Sequence, residues 1–296
     1  MFAMPLLLIA VAVPQANVVL VTWDGVRRED FLDADRLPRF WKTLAADSLI
    51  LGGRSGPGIE VADRRMLSLP AYQSIFVGAV TDCSSNGCGR VRAETFPERL
   101  VRELALPRSS VAVFASWSHV ADAVEHVAGT VTVDAGPHGV WPWNDTRRDA
   151  ETVERALRYL REQRPRFLYL ALGEADDQAH SGDLERYRAT LLDYDRWLEA
   201  LVRALASLGE YGERTTVIVT TDHGRDAGAG WTRHSSGDAH AGSIWLIALG
   251  PGVKPGNATL PATHLHLRPT IEALFGLCPA HATIEEIAPP ACGDRR

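Results

Sequence analysis

Acids and histidines cluster where apolar runs stop. Thr215–Thr220 (TTVIVT) leads into Thr221-Asp222-His223-Gly224-Arg225, Asn17–Thr22 (NVVLVT) into Trp23-Asp24-Gly25, and Arg166–Leu172 (RFLYLAL) into Gly173-Glu174-Ala175-Asp176, with His180 four residues on. Apolar, β-branched runs without polar alternation read as strands covered on both faces of a sheet. In open α/β sheets ligands bind beyond the carboxyl ends of such strands. A carboxylate beside an imidazole at that edge is a donor set for a divalent metal, although any one of these segments alone reads equally as a turn with a capping acid. The fourth segment is Met66-Leu67-Ser68-Leu69-Pro70-Ala71-Tyr72. Pro70 can open a helix there, and Ser68 stands just before its N-terminus. A serine at this point is ordinarily a helix cap. The free N–H groups and positive dipole of a helix start also suit a nucleophile that carries a phosphoryl group.

The pieces Asp24-Gly25, Ser68-Leu69-Pro70, Asp176-x-x-x-His180, Asp222-His223-Gly224 and a later histidine together resemble the alkaline phosphatase superfamily. Its members are two-metal hydrolases and relatives that include nucleotide pyrophosphatase/phosphodiesterases, sulfatases and cofactor-independent phosphoglycerate mutases. The matching pieces span most of the chain in the family's order. The resemblance implies a three-layer α/β/α sandwich with a mostly parallel central sheet. It also implies Ser68 as nucleophile, one metal held by Asp24, Ser68, Asp222 and His223, and a second held by Asp176, His180 and a further histidine. His234, in Trp231-Thr232-Arg233-His234-Ser235, fits the phosphodiesterase-like placement of that histidine, and His240 fits the shorter spacing of the alkaline phosphatases proper; His234 is the preferred choice. Mixed Asp and His donors suit two Zn²⁺ ions, with Mn²⁺ the alternative.

Two positions depart from the family pattern. Ala71 stands where many phosphodiesterases carry an asparagine that contacts phosphate, so another donor must serve, and Asn86 and Arg27 are the candidates. Tyr72 stands where the formylglycine-type sulfatases need arginine, so the signal for that modification is incomplete.

At 296 residues and 46% hydrophobic content the chain can bury a large core, and strand and helix signals alternate without a linker. The reading is a leader over residues 1–16 followed by one α/β domain over 17–296 with a local insertion. MFAMPLLLIAVAVPQA is a short apolar run ending in a small residue, closer to a secretory signal than to a span of about 20 residues, the alternative being an extra strand or anchor at Leu6–Val13. Four cysteines fall in two local pairs, Cys83 with Cys88 and Cys278 with Cys292, as expected of two disulfides in an oxidising compartment, periplasmic or secreted. No stable membrane insertion is expected after cleavage. A net charge of −6 and pI near 5.9 exclude a basic nucleic-acid face, so an anionic substrate must be drawn by bound metal.

Further elements are expected as an amphipathic helix from Leu37-Pro38, a loop over Gly52–Gly58, a helix behind the capping box Thr95-Phe96-Pro97-Glu98, strands at Val111–Ser116, Thr130–Asp134 and Ile244–Leu249, long helices at Thr146–Gln163 and Leu184–Leu208, and a helix at Thr270–Phe275. Gly136–Trp143 reads as a loop overhanging the site. His264 and His266 are expected to be structural, and His119, His126, His138 and His281 ordinary. The function that follows is an exported two-metal hydrolase of a small-molecule phosphate ester, acting through a phosphoserine at Ser68. The alternatives are a phosphoryl transferase or phosphomutase of the same fold, a sulfatase-like esterase, or a non-catalytic exported binding protein. Mutases of this fold carry a large inserted domain and work in the cytoplasm, whereas this chain is short and has an export-like start.

Overall fold

The computed structural model describes residues 16–56, 58–137, 146–258 and 260–289. The leader up to residue 15, the stretch of the expected overhanging loop from 138 onward, His138 and Cys292 lie outside the described residues.

The chain lays down β1 (Asn17–Trp23), β2 (Leu49–Leu51), β3 (Ile59–Glu60), β4 (Val111–Ala115), β5 (Thr132–Ala135), β6 (Phe167–Leu172), β7 (Thr215–Thr220), β8 (Ser243–Ile244), β9 (Leu246–Leu249), β10 (Gly256–Asn257) and β11 (Ala262–Thr263). Eight of them form one sheet in the order β10-β2-β9-β7-β1-β6-β4-β5, and β11-β3-β8 form a small second sheet. From β7 to β5 the strands are parallel, and β9 runs antiparallel between β7 and β2.

Every residue of β1, β6 and β7 is buried, as continuous apolar runs require of strands covered on both faces. Successive side chains alternate between two cores. Val18 and Leu20 pack on one side with Leu69, Ile75 and Phe76 of the Ser68–Val77 helix, Phe96 and Leu100 of the Phe96–Glu103 helix, and Ile271 of the Leu267–Leu274 helix. Val19, Val21 and Trp23 pack on the other side with Val153 and Leu160 of the Asp149–Gln163 helix and Leu191 and Leu198 of the Leu184–Ala206 helix. The result is the expected three-layer α/β/α architecture. The five apolar side chains of β1 contribute roughly 10 kcal/mol by burial, which is on the scale of a whole domain's net stability and lets these strands carry clustered acids at their ends.

Register brings the chemistry together. Thr22 pairs with Thr220 and Trp23 with Leu172, so Asp24, Gly173 and Asp222 emerge from three adjacent strands at one edge.

Several boundaries differ from the sequence reading. Ile244–Leu249 is two strands, because the chain turns at the buried Trp245 and changes sheet. The helix expected from Thr146 begins at Asp149, since Thr146 bridges to Trp117. The strand placed at Thr130–Asp134 is Thr132–Ala135, the long helix ends at Ala206, and the C-terminal helix starts three residues earlier than expected, at Leu267. Pro38 does open a helical segment, but with wide and then tight turns over Phe40–Leu44 and Ala45–Asp47. The capping box at Thr95 is present, with both Thr95 groups donating to Glu98. Among the described residues no helix is long and apolar enough to cross a membrane.

Candidate metal centre

Ser68 is the first residue of its helix and not a cap: Leu67 holds the cap position with no side-chain hydrogen bond. The left-handed backbone of Met66 (φ 54°), uncommon for a side chain of this kind, turns the chain into the helix. Ser68 is buried, and its Oγ lies 3.3 Å from His223 Nε2.

Around that contact sits a first cluster. His223 Nε2 is 3.3 Å from Asp222 Oδ2 and 3.7 Å from Asp24 Oδ1, and Asp24, Asp222 and His223 can present their donor atoms to one ion. Tyr72 donates its hydroxyl to Asp24 Oδ2 at 2.9 Å, and Gly25 N–H donates to Asp222 Oδ1 at 3.1 Å. That leaves Asp24 Oδ1 and Asp222 Oδ2 buried without a hydrogen-bond donor among the described residues. Buried carboxylate oxygens left in this state are costly unless a cation meets them. Burial, with the charges of Asp222 and Asp176, pushes the Asp24 carboxyl well above its usual range, and burial with the charge of Asp176 pushes Asp222 up to about 6. Each shift expresses negative charge awaiting compensation.

A second cluster adjoins it. Asp176 and His180 sit one turn apart on the Glu174–Ser181 helix, with His180 Nε2 3.2 Å from Asp176 Oδ2. His234 comes from the loop after β7, and its Nε2 is 2.9 Å from His180 Nε2. Asp176, His223 and His234 form the second group able to hold an ion. Both inner histidines have their outer nitrogen engaged, His223 Nδ1 with the Gly224 carbonyl at 3.0 Å and His234 Nδ1 with the Met66 carbonyl at 2.5 Å. Backbone carbonyls accept from Nδ1–H, which leaves each Nε2 lone pair facing the site, the arrangement metal-binding imidazoles use. Burial pulls His223 and His234 down to about 4, so both are neutral near pH 7. The structure therefore brings Asp24, Ser68, Asp176, His180, Asp222, His223 and His234 together. His240 is exposed, faces Asp238 and belongs to neither group able to hold an ion among the described residues.

Asp24, Ser68, Asp176, His180 and His234 line a cavity of about 450 Å³, together with Asn86, Trp117, Thr146, Gly173 and Asp177. Asn86 stands in the loop closed by the Cys83–Cys88 disulfide, and its Oδ1 accepts from Leu69 N–H at 3.0 Å. Arg27 instead binds Asp30 through Nε at 2.6 Å and is absent from the lining. His264 accepts from Ala62 N–H inside the core, a structural role. Cys278 is not a free thiol; its expected partner Cys292 lies outside the described residues.

Four residues of the site were not legible in the sequence. Arg225, wholly buried, ion-pairs with Asp176; Asp226 accepts from Ser235 N–H at 2.6 Å and so fixes the His234 loop. Asp149 holds the turn before Asp176 through Gly173 and Glu174, and Trp117 forms a wall of the cavity. The signal for Arg225 and Asp226 was their adjacency to Asp222-His223-Gly224. Nothing in the sequence links Asp149 or Trp117 to the site.

No curated protein matches the sequence. The fold is similar to a putative sulfatase from Bacteroides thetaiotaomicron (12% identity, TM-score 0.65, covering 95% of this chain and 76% of that one). It is similar also to murine ectonucleotide pyrophosphatase/phosphodiesterase 5 in complex with AMP (13%, 0.62, 91% and 97%) and to the lipoteichoic acid synthase LtaP from Listeria monocytogenes (14%, 0.64, 93% and 76%). The profile of the Metalloenzyme superfamily matches residues 89–278, more than half of the chain. The chain belongs to the Metalloenzyme superfamily, in its alkaline phosphatase-like fold.

Proposed function

We propose that the protein is an exported, metal-dependent hydrolase of phosphoric esters that uses Ser68 as nucleophile. The observation that carries this is the contact of Ser68 Oγ with His223 Nε2 beside two orphaned carboxylate oxygens. Asp24, Ser68, Asp222 and His223 would hold one divalent cation and Asp176, His180 and His234 another, with Zn²⁺ the expected metal and Mn²⁺ the alternative. Divalent cations so placed supply Lewis acidity to a serine oxygen and to a departing ester oxygen.

The protein's own residues supply the rest. Ser68 is held at the positive end of a ten-residue helix, where a transferred phosphoryl group is favoured. Ser68 Oγ gives up its proton and forms a bond to phosphorus while the bond to the ester oxygen breaks, and that oxygen takes up a proton and departs as the alcohol. Water then breaks the Oγ–phosphorus bond: its oxygen goes to phosphorus, one of its protons restores the serine hydroxyl, and the product is phosphate from a monoester or a phosphate monoester from a diester. With its Oδ1 engaged by Leu69 N–H, Asn86 has its Nδ2 donor left for a substrate oxygen, the role that Ala71 cannot fill. The Cys83–Cys88 disulfide supports maturation in an oxidising compartment.

Sulfate-ester hydrolysis is the second reading, favoured by the likeness to a sulfatase fold. Against it, Tyr72 fills the position of the modification arginine and its hydroxyl is bound to Asp24, so Ser68 is expected to stay unmodified. The test is the purified protein against matched phosphate mono- and diesters and sulfate esters, with Ser68→Ala alongside. Phosphate esters should be cleaved faster, and the variant should lose several powers of ten in rate while keeping its fold. An aldehyde at residue 68 by mass spectrometry, or near-normal activity of the variant, would overturn the assignment.

A further inference from the structure

The two cation positions differ in what they offer an incoming ion, and the difference traces to Arg225. Its side chain is fully buried, with Nε donating to the Gly25 carbonyl at 3.1 Å and one terminal nitrogen donating to the Asp176 carbonyl at 3.1 Å and to Asp176 Oδ1. The other terminal nitrogen is buried and has no acceptor among the described residues. Room for this packing exists only because residue 25 lacks a side chain: a Cβ there would lie 2.5 Å from Asp176 Oδ1 and 2.8 Å from an Arg225 nitrogen.

At the first position, Asp24 and Asp222 offer two carboxylates, each with an oxygen that has no donor among the described residues, and the guanidinium, although its charge reaches Asp24, is bonded to neither. At the second, the single charge of Asp176 is offset by the guanidinium, and Asp176 Oδ1 is already bound. Asp176 Oδ2 faces His180, whose Nε2 also contacts that of His234. An ion entering there must push the imidazoles of His180 and His234 apart and share its only carboxylate with a fixed cation. An ion entering the first position meets unsatisfied acceptors. Like charge within a few ångströms in a buried site changes the affinity for a divalent ion by roughly tenfold or more.

We infer that Arg225 makes the two positions fill in order, the Asp24–Asp222–His223 position tightly and the Asp176–His180–His234 position weakly and exchangeably. This rests on the metal reading proposed above and goes beyond it. Arg225 acts here as a positioning residue: it fixes the Asp176 carboxylate with one oxygen turned to the site and sets how strongly that oxygen binds.

The experiment is a metal titration that does not depend on turnover. Chelator-stripped protein is titrated with Zn²⁺ against a chromogenic chelator, and separately with Co²⁺ read by its visible absorption. Wild type should show two steps separated by about tenfold or more. His180→Ala should lose the weaker step and keep the tighter one. Arg225→Met should close the gap by raising the weaker affinity about tenfold, whereas Arg225→Lys, which keeps the charge, should retain the gap. Two indistinguishable steps in wild type, loss of the tighter step in His180→Ala, a folded Arg225→Met that keeps the wild-type gap, or an Arg225→Lys titration with the gap closed would overturn the inference. If Arg225→Met does not fold by circular dichroism, Arg225→Gln, which also removes the charge but keeps a donor for Asp176, takes its place with the same expected and overturning results. A wild-type protein that binds no Zn²⁺, or binds it undiminished after Asp222→Asn, would instead reject the metal reading itself.

Discussion

Asp149→Asn tests whether the fold and the site share one buried support. Asp149 is fully buried and accepts four hydrogen bonds: Gly173 N–H (3.0 Å) and the Ser116 hydroxyl on Oδ1, and Glu174 N–H (2.9 Å) and the Tyr194 hydroxyl (2.5 Å) on Oδ2. Asparagine has nearly the same shape but replaces one acceptor oxygen with a donor. The serine and tyrosine hydroxyls can rotate to accept from it; a backbone N–H cannot. Whichever way the amide is placed, Gly173 or Glu174 loses its acceptor, a buried orphan that costs about 1–3 kcal/mol. The other three bonds fall from charge-assisted to neutral at roughly 0.5–1 kcal/mol each. The sum, about 2.5–6 kcal/mol, corresponds to a drop in Tm on the order of 10 °C. The lost bond lies at the entry to the Glu174–Ser181 helix, so affinity for the cation at Asp176 and His180 should fall as well, while the Asp24–Asp222–His223 position is spared. Thermal unfolding of the metal-free protein and a Zn²⁺ titration measure the two effects. A variant whose Tm stays within about 2 °C of wild type would refute the reasoning, because no placement of the amide satisfies both backbone donors.

Gly25→Ala should lower affinity at both cation positions and destabilise the fold, since residue 25 has φ +63° and its new Cβ would press on Asp176 and Arg225; titration and thermal unfolding together check it. His234→Ala should lose one bound metal ion by elemental analysis, and His240→Ala should keep both, because only His234 reaches the cluster. Burial pulls His264 down to about 4, so the folded core prefers it neutral. Its contribution is complete above the ordinary histidine pKa near 6.5 and is lost as pH falls through about 4, amounting to roughly 3 kcal/mol at most. Urea unfolding across that window should therefore show a steeper acid loss for wild type than for His264→Asn, and equal slopes would refute it.

The three central strands were legible because β1, β6 and β7 are buried on both faces, and such strands must be written as unbroken apolar runs. The residues just past their ends were legible for the same reason: an acid that interrupts such a run has to be explained. β2, β3 and β8 were missed, or merged into neighbours, because two or three residues carry no period. The supporting groups were illegible for another reason. Asp149 lies beyond a different strand, at the head of a helix, and its partners Gly173 and Tyr194 are adjacent only in space. Arg225 follows Asp222-His223-Gly224 with no role of its own in the sequence, and only the approach of Gly25 after β1 and of Asp176 makes it a buried ion-pair partner.

The strand order has a consequence for biosynthesis. β1 is the first strand of the described chain, yet it lies between β6 and β7, whose residues are made long afterwards. At about 5–20 residues per second, β1 emerges tens of seconds before residue 220 is polymerised, with both edges unpaired and every side chain apolar or waiting for cover. An unpaired apolar strand of this kind is a ready template for wrong pairing with another nascent chain. Loop closure over such separations also makes the pairing slow once both neighbours exist. The topology therefore makes β1 the segment that gains most from being kept apart from other chains during synthesis. For the same reason the cluster of Asp24, Asp176 and Asp222 cannot assemble on any partial chain that stops short of β7.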